Sequence, residues 1–403
     1  VDDEAVIVAH RKKTVEHAQN KARLSFDVAA DLFSSFEVDL GSRLLLRSLA
    51  KGGWLGRSGR ILDVGCGYGP IGITLGALNP QARISMADRD LLAVAFARHN
   101  AGRNGIDLES CVGSLGYDDL AEAGPYDLIV SNVPAKAGDA VIASLVLDSA
   151  HLLAPDGVAA VVVIDRIAPL VEEAVRSSAA LVSRDASRGY LALAYRPETP
   201  ARPYRPGFDR GLYDRATGRF TIDDASFRAT TVWGLPEFDT PAHSTALAGR
   251  HLLRARGRRV LFVEPGQGLL PALLAARRPD SRITLRSRDL LALRAAARNA
   301  AGAAEVAIEA TLSTGVGGRF DVAVVRIGPD EPIDATLATV EPLLRLPSVI
   351  LHGTSTQVTR VAQALRLEDH ERARYRGSAS LFYRIDRPRY RPENRRRGGR
   401  PRG

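Results

Sequence analysis

Asp63-Val-Gly65-Cys66-Gly67-Tyr-Gly69 closes a short apolar run, Arg60 to Val64, with three glycines on alternate positions. A strand that ends in such a turn and continues into a helix brings bare backbone close to a ligand, because no Cβ atoms stand in the way. The same stretch holds G-x-G-x-x-G, from Gly67 through Gly69 to Gly72, a spacing that also suits a nicotinamide dinucleotide. Asp88, 19 residues after Gly69, ends the next apolar run and could grip the ribose hydroxyls of either kind of cofactor. Two features separate the options. Asp63, inside the strand just before the first glycine, would face a cationic ligand more comfortably than a pyrophosphate. Ser131-Asn132-Val133-Pro134, directly after a further apolar run, supplies a polar acceptor pair that hydride transfer does not need.

The elements that must position these residues are legible. Arg60 to Val64 and Arg83 to Ala87 read as buried strands, with a helix over 69–78 between them and Pro70 in its first turn, where a missing N–H costs nothing. Asp90 offers an N-cap to LLAVAFARHNA, and Gly102 suits that helix's exit. Further strands are expected at Glu109 to Gly113, Tyr126 to Ser131, Val158 to Ile164 and Tyr190 to Tyr195. Strands alternating with helices imply a parallel, doubly wound α/β sheet, whose ligands bind beyond the carboxyl ends of the strands where strand order reverses. Gly65 to Gly69, Asp88, Ser114 and Asn132 all fall on that edge.

The pattern occurs twice. Residues 61–102 align without gaps on residues 260–301, with 17 identities in 42 positions and a shared RDLLA. YDLIVSN (126–132) continues the pairing against FDVAVVR (320–326), and GSRLLLR (41–47) against AGRHLLR (248–254). The second copy has lost the polar groups: Phe262 replaces Asp63, Glu264 replaces Gly65, Pro265 replaces Cys66, Ser287 replaces Asp88 and Arg326 replaces Asn132. Glu264 and Pro265 would block the ligand path, so the fold is kept there without its chemistry. A proline-rich stretch, RPETPARPYRPG, divides the copies. The expected organisation is a ligand-binding domain over 1–197, a linker over 198–220, a degenerate domain over 221–386 and an arginine-rich tail over 387–403.

ILDVGCGYGPIG, MADRD, YDLIVSNVP and the upstream FEVDLGSRLLL together resemble the class I S-adenosylmethionine methyltransferases of the "small" group, which includes ribosomal RNA guanine-N2 and protein-glutamine methyltransferases. The resemblance covers residues 23–197 directly and the second half by duplication. It implies two tandem Rossmann-like domains, S-adenosylmethionine as cofactor, and transfer of its methyl group to an exocyclic base nitrogen of RNA, with guanine N2 of ribosomal RNA the leading acceptor. A protein amide or small-molecule acceptor, or an RNA-binding assembly protein that keeps the cofactor site without turnover, are the alternatives. Carried over by position, Asp63, Gly65, Cys66, Gly67 and Gly69 would hold the methionine part, Asp88 the ribose, and Ser114 would lie near the adenine. In this group an N-P-P-aromatic motif accepts both N–H bonds of a planar nitrogen and aims its lone pair at the methyl group. Here the motif reads Asn132-Val133-Pro134-Ala135, so Asn132 and the Val133 carbonyl remain as acceptors while the stacking aromatic is gone. Tyr117 or Phe33 would have to supply the stack, or the acceptor differs, or catalysis is lost while cofactor binding persists. Two-domain ribosomal RNA guanine-N2 methyltransferases also pair an active with a degenerate copy, the second being active; here the first is.

Composition narrows the setting. The chain has 403 residues, 45% of them apolar, and no run of 18 apolar residues to span a bilayer. No charged stretch followed by an apolar one opens the sequence, so secretion is not expected, and two cysteines, Cys66 and Cys111, cannot build a disulfide framework. A cytoplasmic protein without membrane or metal is expected, with both thiols as small buried hydrophobes. His10 and His17 lie among Lys12, Lys13 and other charges and read as a solvated face. The formal net charge is +9, of which Arg387 to Gly403 alone carries +7 in eight arginines against Glu393. The body is therefore nearly neutral. The tail would hold RNA phosphates, with Tyr390 available to stack on an unpaired base.

Overall fold

A computed structural model describes residues 3–32, 36–55, 59–120, 122–198, 203–367 and 370–385. The first copy runs α1 (Asp3–His10), β1 (Arg11–Gln19), β2 (Ala22–Ala29), α2 (Leu40–Lys51), β3 (Arg60–Val64), α3 (Pro70–Leu78), β4 (Arg83–Asp88), α4 (Leu91–Arg103), β5 (Leu108–Gly113), β6 (Tyr126–Asn132), α5 (Asp139–Leu147), β7 (Leu153–Ile164), α6 (Ala168–Ser178), β8 (Ala179–Ser187) and β9 (Tyr190–Pro197). The second runs β10 (Asp214–Ile222), β11 (Ala225–Val232), α7 (His243–Arg254), β12 (Arg259–Val263), α8 (Leu269–Arg277), β13 (Arg282–Ser287), α9 (Leu290–Asn299), β14 (Glu305–Ala310), β15 (Val322–Arg326), α10 (Ile333–Val340), β16 (Ser348–Thr354), α11 (Ser355–Ala364), β17 (His370–Tyr375) and β18 (Ser378–Arg384).

Each copy forms one seven-stranded sheet of the same order, β5-β4-β3-β6-β7-β9-β8 and β14-β13-β12-β15-β16-β18-β17. The duplication is therefore real and both copies are doubly wound. The sheets are mixed where a parallel sheet was expected: five strands run parallel, and the last two return as an antiparallel hairpin. Edge strand β8 escaped the sequence reading because most of its residues face water, leaving no apolar alternation to read. Strand order reverses beside β3, so the turn after β3 and the end of β6 border the crevice that such sheets use for ligands.

Apolar residues of β3, β4, β6 and β7 alternate between the two faces, as sheets covered on both sides require. Ile61, Ile84, Leu128 and Val162 pack under α2, α3 and α4, while Leu62, Ile129 and Val161 pack under α5 and α6. Helix α4 runs past the expected exit at Gly102 to Arg103, and the left-handed turn falls at Gly105 instead.

Two hairpins, β1–β2 and β10–β11, stand outside the sheets, each with an irregular first pair. The charged first strands β1 and β10 hid them from the sequence reading. His17 is buried within β1 and His10 pairs with Asp31 at 3.2 Å, so neither lies on a solvated face. An asparagine shared by both copies pins each hairpin to its domain. The Asn100 side chain exchanges hydrogen bonds with the backbone of Asp27 and donates to the Tyr68 carbonyl; Asn299 does the same with Thr230 and Gln267. Because β10 begins at Asp214, the connection between the copies is shorter than the expected 198–220. Residues 203–213 are also tied down, with Tyr204, Gly207 and Phe208 all donating to Asp118. The arginine tail and Tyr390 lie outside the described residues. Among the described residues no helix is long and apolar enough to cross a membrane.

Candidate active site

The turn after β3 is built for close approach. Gly65 and Gly67 take φ of +73° and +57°, and a Cβ on either would meet nothing within 4 Å among the described residues, so the backbone fronts open space. Gly65, Cys66 and Gly67 line a cavity of about 420 Å³ together with Asp88, Ser114, Ser131, Asn132 and Pro134. Residues scattered over 70 positions of sequence thus meet at one edge. That volume lies within the ordinary range for small-molecule sites, roughly 300–1,000 Å³.

Asp88 ends β4 with its carboxylate accepting from the Gly67 and Asp90 amides, both at 2.9 Å. Burial pushes its pKa up and those two N–H groups oppose the rise. Ser114 follows β5, its amide held by the Asp88 carbonyl at 2.9 Å and its hydroxyl donating to the Gly116 carbonyl at 2.8 Å.

Asn132 is oriented. Its Nδ2 donates to both Asp39 carboxylate oxygens, at 3.1 and 3.3 Å, and to the Ser42 hydroxyl at 3.2 Å. A carboxylate only accepts, so the amide nitrogen must face Asp39 and the side-chain carbonyl oxygen is left to accept from a ligand. Asp39 is itself fixed as the N-cap of α2, accepting from the Ser42 amide at 3.1 Å and hydroxyl at 2.6 Å. Asp39 and Ser42 both line the cavity. Sequence reasoning passed over them; the available signal was an acid three residues before a serine at the head of an amphipathic helix.

Two expected residues stand behind the wall. Asp63 is fully buried and accepts from the Gly72 amide at 2.8 Å, tying β3 to α3, while its other oxygen has no partner among the described residues. Burial, with the nearby Asp88 charge adding to it, pushes its pKa up to about 7 against the pull of Gly72. Gly69 makes the left-handed entry to α3. The Val133 side chain is packed in the core and its amide donates to the Val162 carbonyl, which places the expected acceptor, the Val133 carbonyl, just past the end of β6. Tyr117 cannot stack on a ligand, because its ring is buried and its hydroxyl donates to the Leu145 carbonyl at 3.0 Å. Phe33 lies outside the described residues. Phe36 is described, 68% exposed, with the Lys12 ammonium 3.5 Å from its ring centre and Lys13 at 5.1 Å. Cys66 and Cys111 are buried free thiols. Hydrogen bonding to Cys111 and burial hold the Cys66 thiol well above its ordinary pKa, which disfavours the thiolate.

The second copy carries a cavity of about 630 Å³ at the same sheet edge, larger but chemically altered. Glu264 keeps the left-handed backbone of the glycine it replaces, φ +54°, at a cost of roughly 1–2 kcal/mol. Its carboxylate turns onto the Ser287 hydroxyl at 2.7 Å and the Arg288 amide at 3.1 Å. Arg326, in the place of Asn132, pairs with Glu237 at 3.7 Å, and Glu237 accepts from Thr245 as Asp39 does from Ser42. A neutral acceptor has become an ion pair. Among the described residues no group of His, Cys, Asp or Glu could hold a metal ion.

The model of the "Methyltransferase small domain" matches residues 23–183. The uncharacterized protein YbxB of Bacillus subtilis is 34% identical over 150 residues, which are 37% of this chain and 73% of that protein. Ribosomal RNA small subunit methyltransferase C of Serratia proteamaculans is 36% identical over 107 residues, 27% of this chain and 29% of that one. Ribosomal RNA large subunit methyltransferase G of Shewanella putrefaciens is 32% identical over 133 residues, 32% of this chain and 34% of that one. The matched region thus spans about a third of these two relatives. Among solved structures, a 16S rRNA N2 methyltransferase of Thermus thermophilus in complex with AdoMet and guanosine aligns over 95% of this chain and 100% of its own, with a TM-score of 0.62 and 17% identity. That likeness extends over both copies and shows the tandem fold.

Proposed function

This chain belongs to the methyltransferase small domain family, and from that premise we propose that it transfers the methyl group of S-adenosylmethionine to an exocyclic base nitrogen of RNA, guanine N2 of ribosomal RNA above all. The observation that carries the reading is Asn132, whose amide is locked by Asp39 and Ser42 so that its carbonyl oxygen faces the cavity beside the glycine turn. An exocyclic amino group is planar and donates two N–H bonds; an oriented acceptor that takes one fixes the direction in which the nitrogen lone pair points.

The residues present fit the cofactor. Gly65 and Gly67 leave a cradle that any Cβ would fill, which suits the methionine end. The Asp88 carboxylate keeps lone pairs for the ribose hydroxyls, and Ser114 stands one strand further out, toward the adenine. When bound, S-adenosylmethionine supplies an electrophilic methyl on a sulfonium. The protein's part is positioning: Asn132 and the Val133 carbonyl hold the acceptor, and the fixed Asp39–Asn132 pair spares the reorganisation that a free amide would need.

Phe36 supports a nucleic-acid acceptor, since an exposed aromatic ring beside two lysines, three residues from Asp39, can stack a base and meet its phosphates. The arginine tail would add nonspecific hold on phosphates, and the cytoplasm is the compartment this reading implies. Ala135 favours a second reading, a protein amide, which needs no stacking. Incubating the protein and labelled S-adenosylmethionine with ribosomal subunits, free RNA and whole-cell protein from a deletion strain separates the two.

A further inference from the structure

The cavity beside the glycine turn is not closed by the first copy alone. Tyr213, at the end of the crossover, and Gly234, just after β11, also line it. The Tyr213 ring is only 7% exposed and is packed with Leu115, Val141, Val232 and Leu291 between the two copies. Its hydroxyl forms no hydrogen bond among the described residues, and the oxygen lies 3.3 Å from where a Cβ on Gly116 would stand. Burial raises its pKa, so it stays protonated and can donate. A phenol this buried ordinarily finds a partner, and the cavity is the direction open to it.

Position along the sheet identifies the partner. Asn132 and the glycine turn end the adjacent strands β6 and β3, Asp88 ends β4, and Ser114 to Gly116 follow β5, so β5 lies about 10 Å from β3 at ordinary strand spacing. On the reading proposed above, the methyl group sits at the β3–β6 end and the adenosine at the β5 end, under Tyr213. The arrangement is reciprocal. Numbering from the hairpins, which start 203 residues apart at Arg11 and Asp214, Tyr213 corresponds to His10 and Gly234 to Asp31. His10 and Asp31 line the cavity of the second copy. The difference is that the His10 ring has a protein partner, Asp31, whereas the Tyr213 hydroxyl has none among the described residues.

We propose that Tyr213 is a cofactor-positioning residue whose hydroxyl hydrogen-bonds the adenosine part of S-adenosylmethionine, so that the segment leading into the degenerate copy completes the active copy's site. The proposal rests on the cavity being the cofactor site. Tyr213→Phe keeps the packed ring and removes only the hydroxyl. In calorimetry on the full chain it weakens S-adenosylmethionine and S-adenosylhomocysteine by the same factor, about tenfold, because neither differs at the adenosine end. The KM for the cofactor rises to match and kcat at saturation stays within twofold. Tyr204→Phe, in the same crossover but bonded to Asp118, leaves both affinities unchanged. Unchanged affinity in Tyr213→Phe while Asp88→Ala abolishes binding overturns this inference alone; unchanged affinity in both variants overturns the cofactor site itself. A fall in kcat with KM unchanged would also overturn it, by moving Tyr213 to the reacting end.

Discussion

Leu91 and Leu290, 199 residues apart, join the two copies by one bond made twice: the Leu91 amide donates to the Arg288 carbonyl at 3.0 Å, and the Leu290 amide to the Arg89 carbonyl at 3.0 Å. Asp90 and Asp289 form an antiparallel bridge between them. A contact in which i meets j and j meets i is the signature of two-fold association, here within one chain. The shared RDLLA is therefore an interface, and its identity in both copies follows from having to fit itself.

Arg288 is the centre of that interface. It donates to Asp31 at 2.7 Å and faces Asp90 at 3.3 Å, both in the first copy, and the two carboxylates hold it protonated. Arg288→Ala leaves Asp31 with only His10 and takes from Asp90 the cation it faces, and is expected to cost about 3 kcal/mol. Differential scanning calorimetry would then show two transitions where the wild type shows one; a single unshifted transition would mean that the copies do not depend on this contact.

The core strands, the glycine turn, Asp88 and Asn132 were legible because each sits where apolar runs meet polar or glycine residues at fixed spacing. The hairpins were not, since RKKTVEHAQ carries its fold signal only in Val15 and His17, the two residues that turn inward. Asp63 and Gly69 sit in the right motif but stand behind the cavity wall, a matter of strand parity and turn geometry that types alone do not reveal. Asp39 was hidden because its role depends on Asn132, 93 residues away.

Asp39→Asn tests the orienting bond. Asparagine still caps α2, so stability should change by only a few tenths of a kcal/mol, but a second amide no longer dictates which way Asn132 points. We expect kcat to fall about 10- to 100-fold with cofactor affinity unchanged, measured by single-turnover methyl transfer and calorimetry. Full activity in this variant would remove Asp39 from the account.

Asp88→Ala and Ser287→Ala are the same edit in the two copies. The first should abolish S-adenosylmethionine binding in calorimetry and the second should leave it intact. Normal binding in Asp88→Ala would show that the cofactor lies elsewhere.

The buried carboxyl of Asp63 predicts a pH signature. Its pKa of about 7 in the fold lies above the ordinary carboxylate value, so the folded state binds the extra proton and Asp63 favours folding at low pH. That contribution is lost as pH rises from about 4 through about 7. Asp90, also pushed up to about 7 chiefly by burial, has the same sign. His17, His251 and His352, depressed by burial, act oppositely below 6.5. The readout is therefore a difference: the melting temperature of Asp63→Asn minus that of wild type should grow from pH 5 to pH 8. A constant or shrinking difference would contradict the raised pKa.

The tail is tested by salt. If all eight of its arginines meet phosphates, deleting 387–403 flattens the slope of log affinity for RNA against log salt by about 6 to 7, an upper bound at roughly 0.7–0.9 per contact. An unchanged slope would leave the tail as a solubilising extension, and the RNA contact would then rest on Phe36 and its lysines.

The most direct measurement is the fate of the methyl group. With labelled S-adenosylmethionine and substrates from a deletion strain, the wild-type protein should place label on guanine N2 of ribosomal RNA, and Asn132→Ala should bind the cofactor normally yet transfer none. Label found only in protein, or equal transfer by Asn132→Ala, would contradict the assignment of this site to RNA base methylation.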